Sequence, residues 1–257
     1  MLLGRCSRWL TAFCGVLLAC NALGTPITVL RVAAQEGTEP KFMAGPQGGI
    51  VGLCIDIMHA IERIDPTLHF EGHQHWMPLV RVYHEASVGQ QDAVCAMQRM
   101  PEREAQYRFI EPALFNINYM LMARADDSVT INNWDDVRKL GPQAVVLANR
   151  GFAANQILEQ LGGIQVDASA ASTAMNLQKL MAGRGRFFLH RTPGLHGLLE
   201  RGGALNKVHI LPTVMLKAPL YMALSRQVDP AAAERVRAAL EQMARSGELD
   251  LLLKKWD

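Results

Sequence analysis

Val88–Phe115, VGQQDAVCAMQRMPEREAQYRFIEPALF, is the stretch on which the fold turns. DAVCAM is an apolar run of strand length. From Gln98 onward the composition changes abruptly to Arg99, Pro101, Glu102, Arg103 and Glu104, followed by Tyr107, Phe109, the pair Glu111-Pro112, and Phe115. Pro101 stiffens the turn and keeps its predecessor extended. A buried strand thus ends in a knot of charge, an arrangement that either solvates a surface turn or serves a site.

Upstream, ITVLRVAA from Ile27 is a β-rich apolar run, and the Gly-rich AGPQGGIVG leads into LCIDIMHAIERI. There Leu53, Ile57, Ala60, Ile61 and Ile64 recur at helical spacing, and Asp65-Pro66 ends the helix. LHFEGHQHW alternates like a strand and MPLVRVYHEA like a short amphipathic helix. Alternating β and α elements argue for mainly parallel sheets covered on both faces.

Downstream, ARADDSVTINNWDDVRKLG reads as a linker, followed by a second α/β set: AVVLAN, AANQILEQL ended by Gly162-Gly163, IQVDA, STAMNLQKLMAG capped by Ser172, and RFFLH. In the C-terminal segment Asp229 is the N-cap, Pro230 the first helical residue, and Val236, Leu240 and Met243 the buried stripe. Gly247 separates a last short helix. Two small α/β lobes fit this order better than one large sheet.

The 257 residues are 49% hydrophobic and 19% charged, ordinary for a globular protein. Residues 1–24 differ: Arg5 and Arg8 precede the apolar WLTAFCGVLLA, too short for a membrane span of roughly 20 residues and laid out like a secretory signal peptide. ALG before Thr25 offers an ordinary cleavage site, whereas LLAC ending at Cys20 resembles a lipoprotein box. A strand starting near Ile27 leaves a lipidated Cys20 little tether, which favours the cut after Gly24. That cut lowers the net charge from +2 to 0, so bulk charge names neither nucleic acid nor an anionic membrane as a partner. It leaves Cys54 and Cys95, an even pair suggesting a disulfide in an exported chain, with two buried thiols as the alternative.

Four pieces, taken in order, resemble the family 3 extracytoplasmic solute-binding proteins, receptors of polar amino acid uptake. They are GGIVGLCIDIMHAI, the opening stretch, LMAGRGRFFLH and ALEQMARSGELDLLLKKW. The resemblance implies a type II periplasmic-binding-protein fold, two lobes joined by two crossover strands. Lobe one would be discontinuous, over 26–117 and 219–257, with lobe two over 122–212. It also implies a periplasmic, monomeric receptor that passes a small ligand, anionic or zwitterionic, to the membrane permease of an ABC importer, with no cofactor, metal or nucleic acid.

In that family an arginine of the motif after the strand forks onto the ligand's carboxylate, and Arg103 matches it here. A guanidinium suits the task because its parallel N–H donors fit a carboxylate and it stays charged when desolvated. Gln98, at the strand end, joins it as a candidate, and Trp76 is placed to cover an apolar part of the ligand. The family's helix start that binds carboxylate through backbone N–H groups corresponds to NRGFAAN, so Gly151 and Phe152 would donate there, beside Arg150. Where relatives carry an acid for the ligand's ammonium, this chain has His190 and Arg191. Arg103, Arg150 and Arg191 together imply an electropositive cleft and an anionic ligand.

Three other readings are open. His69, Glu71, His73 and His75 would share one face of a strand and could hold a metal. Some relatives are periplasmic dehydratases of cyclic dicarboxylic acids, and His190 is the candidate acid or base, although no facing pair is readable. A loaded receptor could also signal through a membrane histidine kinase.

Overall fold

The computed structural model describes residues 27–192 and 194–256. The leader and Cys20 lie outside the described residues.

The first half opens with β1 (Thr28–Arg31), β2 (Ala34–Gln35), β3 (Met43–Ala44) and β4 (Ile50–Val51), then α1 (Leu53–Ile64). It continues through β5 (Leu68–Glu71), β6 (Trp76–Met77), α2 (Leu79–Ser87), β7 (Ala93–Gln98) and the single turn α3 (Pro101–Glu104). The long strand β8 (Tyr107–Arg124) carries the chain to α4 (Trp134–Lys139), β9 (Val146–Leu147), α5 (Ala153–Leu161), β10 (Val166–Asp167), α6 (Thr173–Met181), β11 (Phe187–Arg191) and α7 (Leu195–Arg201). A second long strand, β12 (Val208–Ser225), returns it to α8 (Pro230–Ser246) and α9 (Glu248–Trp256).

Strands β8 and β12, of 18 residues each, pair antiparallel from Tyr107↔Ser225 to Arg124↔Val208. At roughly 3.3 Å per residue they form a ribbon about 60 Å long, and one β sheet in the order β10-β9-β11-β8-β12-β7 runs along it. At one end β9 pairs in parallel with β10 and β11; at the other β7 pairs with β12, while β1–β5 and β2–β6 form parallel pairs of their own. Register shifts in β12 near Val214 and Leu220 mark irregular turns of the ribbon between the ends. The fold is a two-lobed α/β architecture.

Local chemistry explains the elements. The α1 stripe Leu53, Ile57, Ala60 and Ile61 is buried, and the helix's first free N–H groups are taken by the carbonyls of Pro40 and Lys41, 3.0 Å from Leu53 N and Cys54 N. Ser172 and Asp229 accept from Met175 N and Ala231 N as N-caps, and Gly247 ends α8 at φ 76°. Cys54 and Cys95 are bonded, with Cα atoms 6.0 Å apart, tying α1 to β7.

Two expectations change. The supposed linker contains α4: Asn133 caps it, Asp135 and Asp136 sit in its first turn, Arg138 and Lys139 in its last, and Trp134 and Val137 are buried. The histidine face does not form, because β5 stops at Glu71 and Gly72 takes φ 90° with its Cα against the Val32 carbonyl. His69 instead pairs with Glu62 at 3.0 Å, and His73 packs edge-on to His59. Among the described residues no group of three or more His, Cys, Asp or Glu is placed to hold a metal.

Candidate functional site

The charged knot after β7 folds back on itself. Met100 is extended at φ −148° and Pro101 starts α3, so Arg103 comes round facing the strand it followed. Its guanidinium donates to the Gln98 carbonyl at 3.1 Å and lies 4.8 Å from the centre of the Tyr83 ring, and the residue is only 8% exposed. Arg99 is structural: it bonds Glu111 at 2.8 Å and stacks on Tyr221. Arg108 reaches the Val228 carbonyl.

Arg103 faces a pocket lined from both lobes and from the ribbon. Lys41, Tyr83, Ala96 and Gln98 come from one side, Phe152 and Arg191 from the other, and Ile117, Tyr119 and Leu220 from β8 and β12. Its free volume is about 20 Å³, room for about one water. Phe152 also borders two larger openings, of about 320 and 360 Å³, so its ring is the wall between them and the pocket.

Three cations converge here. Arg191, 7% exposed, lies 4.8 Å from the Phe152 ring centre, and its Nη2 is buried with no hydrogen-bond partner. Lys41, 4% exposed, donates to Gln35 Oε1 and to the Ala96 carbonyl at 3.2 Å. Burial, reinforced by the Arg191 and Arg103 charges, pushes the Lys41 ammonium well below the usual lysine range. Burial likewise lowers Arg191. Tyr119, whose hydroxyl donates to Gln98 Oε1 at 3.0 Å, is pushed up to about 12, chiefly by burial. None of the lining residues is an aspartate or glutamate.

Of the residues anticipated from sequence, Gln98, Arg103, Phe152 and Arg191 meet in this pocket. Phe152 contributes its ring, because its N–H is taken by the Asn149 carbonyl. Gly151 lies at one opening, against Val80. Arg150 borders the opening of about 360 Å³, is exposed and is bonded to the Ser169 carbonyl; the third cation of the pocket is Lys41. Trp76 is 42% exposed in β6 and lines neither the pocket nor its openings.

His190 stands behind the pocket wall. Its Nδ1–H donates to the Arg191 carbonyl at 2.8 Å and Nε2 faces the Thr173 hydroxyl at 3.5 Å, which in turn accepts from Asn149 Nδ2. Burial, then the Arg191 charge, pushes it down to about 3, so it is neutral near pH 7. Its role in this arrangement is to hold the backbone of Arg191.

Sequence reasoning missed Lys41, Tyr83 and Tyr119. Lys41 sits in GTEPKFMAG, beyond β2 and ahead of α1, and its only signal is that position on the carboxyl side of the first strands. A cavity of about 470 Å³ between Gln143 and Arg184 is remote from this pocket, and Arg186 and Arg124 there are already paired with Asp127 and Asp126.

Fold and pocket together define a two-lobed α/β protein with a pocket between the lobes. The family model for bacterial extracellular solute-binding proteins, family 3, matches residues 30–257, and the chain belongs to that family. No curated protein matches it. Among solved structures, it is similar to an arginine-binding protein of T. maritima in its P235GK form, with 18% identity, TM-score 0.73 and coverage of 89% of this chain and 94% of that one. A histidine kinase sensor domain with similarity to periplasmic binding proteins gives 17% identity and TM-score 0.76 over 90% and 96%. An ancestral amino acid-binding protein described as a precursor of cyclohexadienyl dehydratase gives 20% and 0.71 over 89% and 95%. At these identities the likeness is one of fold. The family is one of solute-binding proteins.

Proposed function

We propose that the protein is an exported receptor that captures a small carboxylate-bearing metabolite between its lobes and delivers it to an ABC-type importer. Lobe one spans 26–117 and 219–257 and lobe two 122–212, with the middle of the β8–β12 ribbon as the hinge. The observation that carries this reading is Arg103: a buried guanidinium at a pocket reached from both lobes, held by one carbonyl and one ring and with no acid among the lining residues. A buried cation without a counter-charge is costly, and a ligand carboxylate would supply that charge. A pocket of about 20 Å³ requires the lobes to part for entry. The family and the amino-acid transporter proteins among similar structures support the transport role.

A thermal-shift screen of amino acids, dicarboxylates and aromatic acids tests it, because a ligand that binds only the folded state raises Tm. At least one carboxylate is expected to do so in the wild type and not in Arg103→Met. A screen in which no carboxylate shifts Tm contradicts the proposal. The sensor domain among the similar structures favours a second use of the same site, with the loaded receptor docking on a membrane kinase. Pull-down with permease or kinase periplasmic segments separates the two.

A further inference from the structure

We infer that the pocket selects a dianionic acid without an amino group, with Lys41 holding the carboxylate distal to the one gripped by Arg103. This rests on the receptor reading above and names the class of ligand.

The argument is one of charge and of acceptors already in use. Lys41, Arg103 and Arg191 all line the pocket and are each less than a tenth exposed. Lys41 has only neutral partners, the Gln35 amide and the Ala96 carbonyl; Arg103 has the Gln98 carbonyl; Arg191 keeps a buried Nη2 with no partner. The one carboxylate acting on Arg191 is that of Glu39, which lines a separate opening with Thr173 and Leu177. No acid lines the pocket itself, so Arg103 and Arg191 leave two positive charges there, which two ligand carboxylates neutralise, and a carboxylate beside Lys41 favours its charged form. A zwitterionic amino acid brings no net charge and sets its ammonium among three cations.

An ammonium would also have to share its acceptors with donors already in place. Gln98 Oε1 already accepts the Tyr119 hydroxyl, and the Ala96 carbonyl already accepts Lys41. The backbone of Lys41 is held by the Cys54 N–H, 3.0 Å from its carbonyl, and Cys54 is bonded to Cys95, whose carbonyl accepts Gln35 Nε2 at 2.8 Å. The side chain that orients Lys41 is therefore itself anchored to the disulfide.

The test is isothermal titration calorimetry of the purified protein with pairs of equal chain length, succinate against butanoate and glutarate against pentanoate, together with glycine and L-alanine. In the wild type each dicarboxylate is expected to bind roughly 10- to 100-fold tighter than its monocarboxylate, the range of one charge-assisted contact, and the amino acids more weakly than either dicarboxylate. In Lys41→Met, and in Lys41→Gln as a second variant that keeps a hydrogen-bonding side chain, the ratio is expected to fall below about threefold. A wild-type ratio near one, or a ratio unaffected by both variants, overturns the inference. Binding of alanine or glycine ahead of every dicarboxylate overturns it too while leaving the receptor reading intact; failure of every carboxylate to bind overturns both. The wild-type comparison stands if neither variant folds.

Discussion

The Lys41 ammonium donates to the carbonyl of Ala96 at 3.2 Å, and Ala96 is held at φ 58° within β7. Opposite it, β7 and β12 change register between Tyr221↔Met97 and Ala223↔Val94. The extra residue turns the Ala96 carbonyl off the ladder and toward the lysine. Left-handed backbone costs an alanine about 1–2 kcal/mol, and such local strain clusters at ligand sites.

Ala96→Val places a β-branched residue in that conformation at a buried position. It is expected to lower unfolding free energy by about 2 kcal/mol, read as a shift in urea midpoint at constant slope. An unchanged midpoint would show that the strand relaxes without loss and that the bulge is not needed to present the carbonyl.

The Cys54–Cys95 bridge closes a loop with a sequence separation of 41. On the chain-entropy account that restricts the unfolded state by about 4 kcal/mol, and native strain usually reduces the yield. The double variant Cys54→Ser/Cys95→Ser is expected to lose about 2–4 kcal/mol in chemical denaturation, and the same loss should follow treatment of the wild type with a reductant that reaches the bond. Equal stability with and without the bridge would contradict this.

Gly151 has φ 78°, and a Cβ there would stand 2.5 Å from Val80 Cγ2, on α2. Gly151→Ala is therefore expected to oppose closure of the lobes, weakening ligand binding by about tenfold or more and leaving a larger radius of gyration at saturating ligand in small-angle scattering. Val80→Ala in the same chain should restore part of the affinity, since it removes the clash and leaves only the backbone cost. Wild-type affinity in the single variant would show that this contact is not made in the closed form.

Arg235 on α8 bonds Asp65 at 2.7 Å just before β5, and Asp65 also accepts from Thr67 N at 3.0 Å. The Arg235 bond, more than the Thr67 bonds, lowers the Asp65 carboxyl to about 2, against roughly 3.9 in an unfolded chain. A depressed carboxyl stabilises the fold above about pH 4, and the contribution fades as pH falls toward 2. Asp65→Asn is expected to cost about 1 kcal/mol at pH 7, the pair being partly solvated, and the gap to wild type should close by about pH 2. A gap that persists at low pH would locate the loss in packing and not in charge.

Much of the fold was legible because its signals are local. Ser172, Asp229, Gly247 and the α1 and α8 stripes are one-dimensional patterns, and each lies where the periodicity puts it. Arg103 and Arg191 were legible as cations in places where the family resemblance expected ligand contacts. Lys41 was not, because a lone lysine between Pro40 and Phe42 has no pattern; its meaning comes from Gln35 and Ala96, which only folding brings to it. The directions of the Arg150, Phe152 and Trp76 side chains were not legible. A strand or helix end fixes where a residue is, but which way its side chain leaves depends on partners such as the Ser169 and Asn149 carbonyls.

The most direct measurement is a crystal structure of the protein with a bound carboxylate identified by the thermal screen. The account predicts two guanidinium nitrogens of Arg103 on the ligand's carboxylate oxygens at about 2.8 Å, between lobes closed around it. A carboxylate bound elsewhere, with Arg103 still turned to the Gln98 carbonyl and the Tyr83 ring, would contradict it.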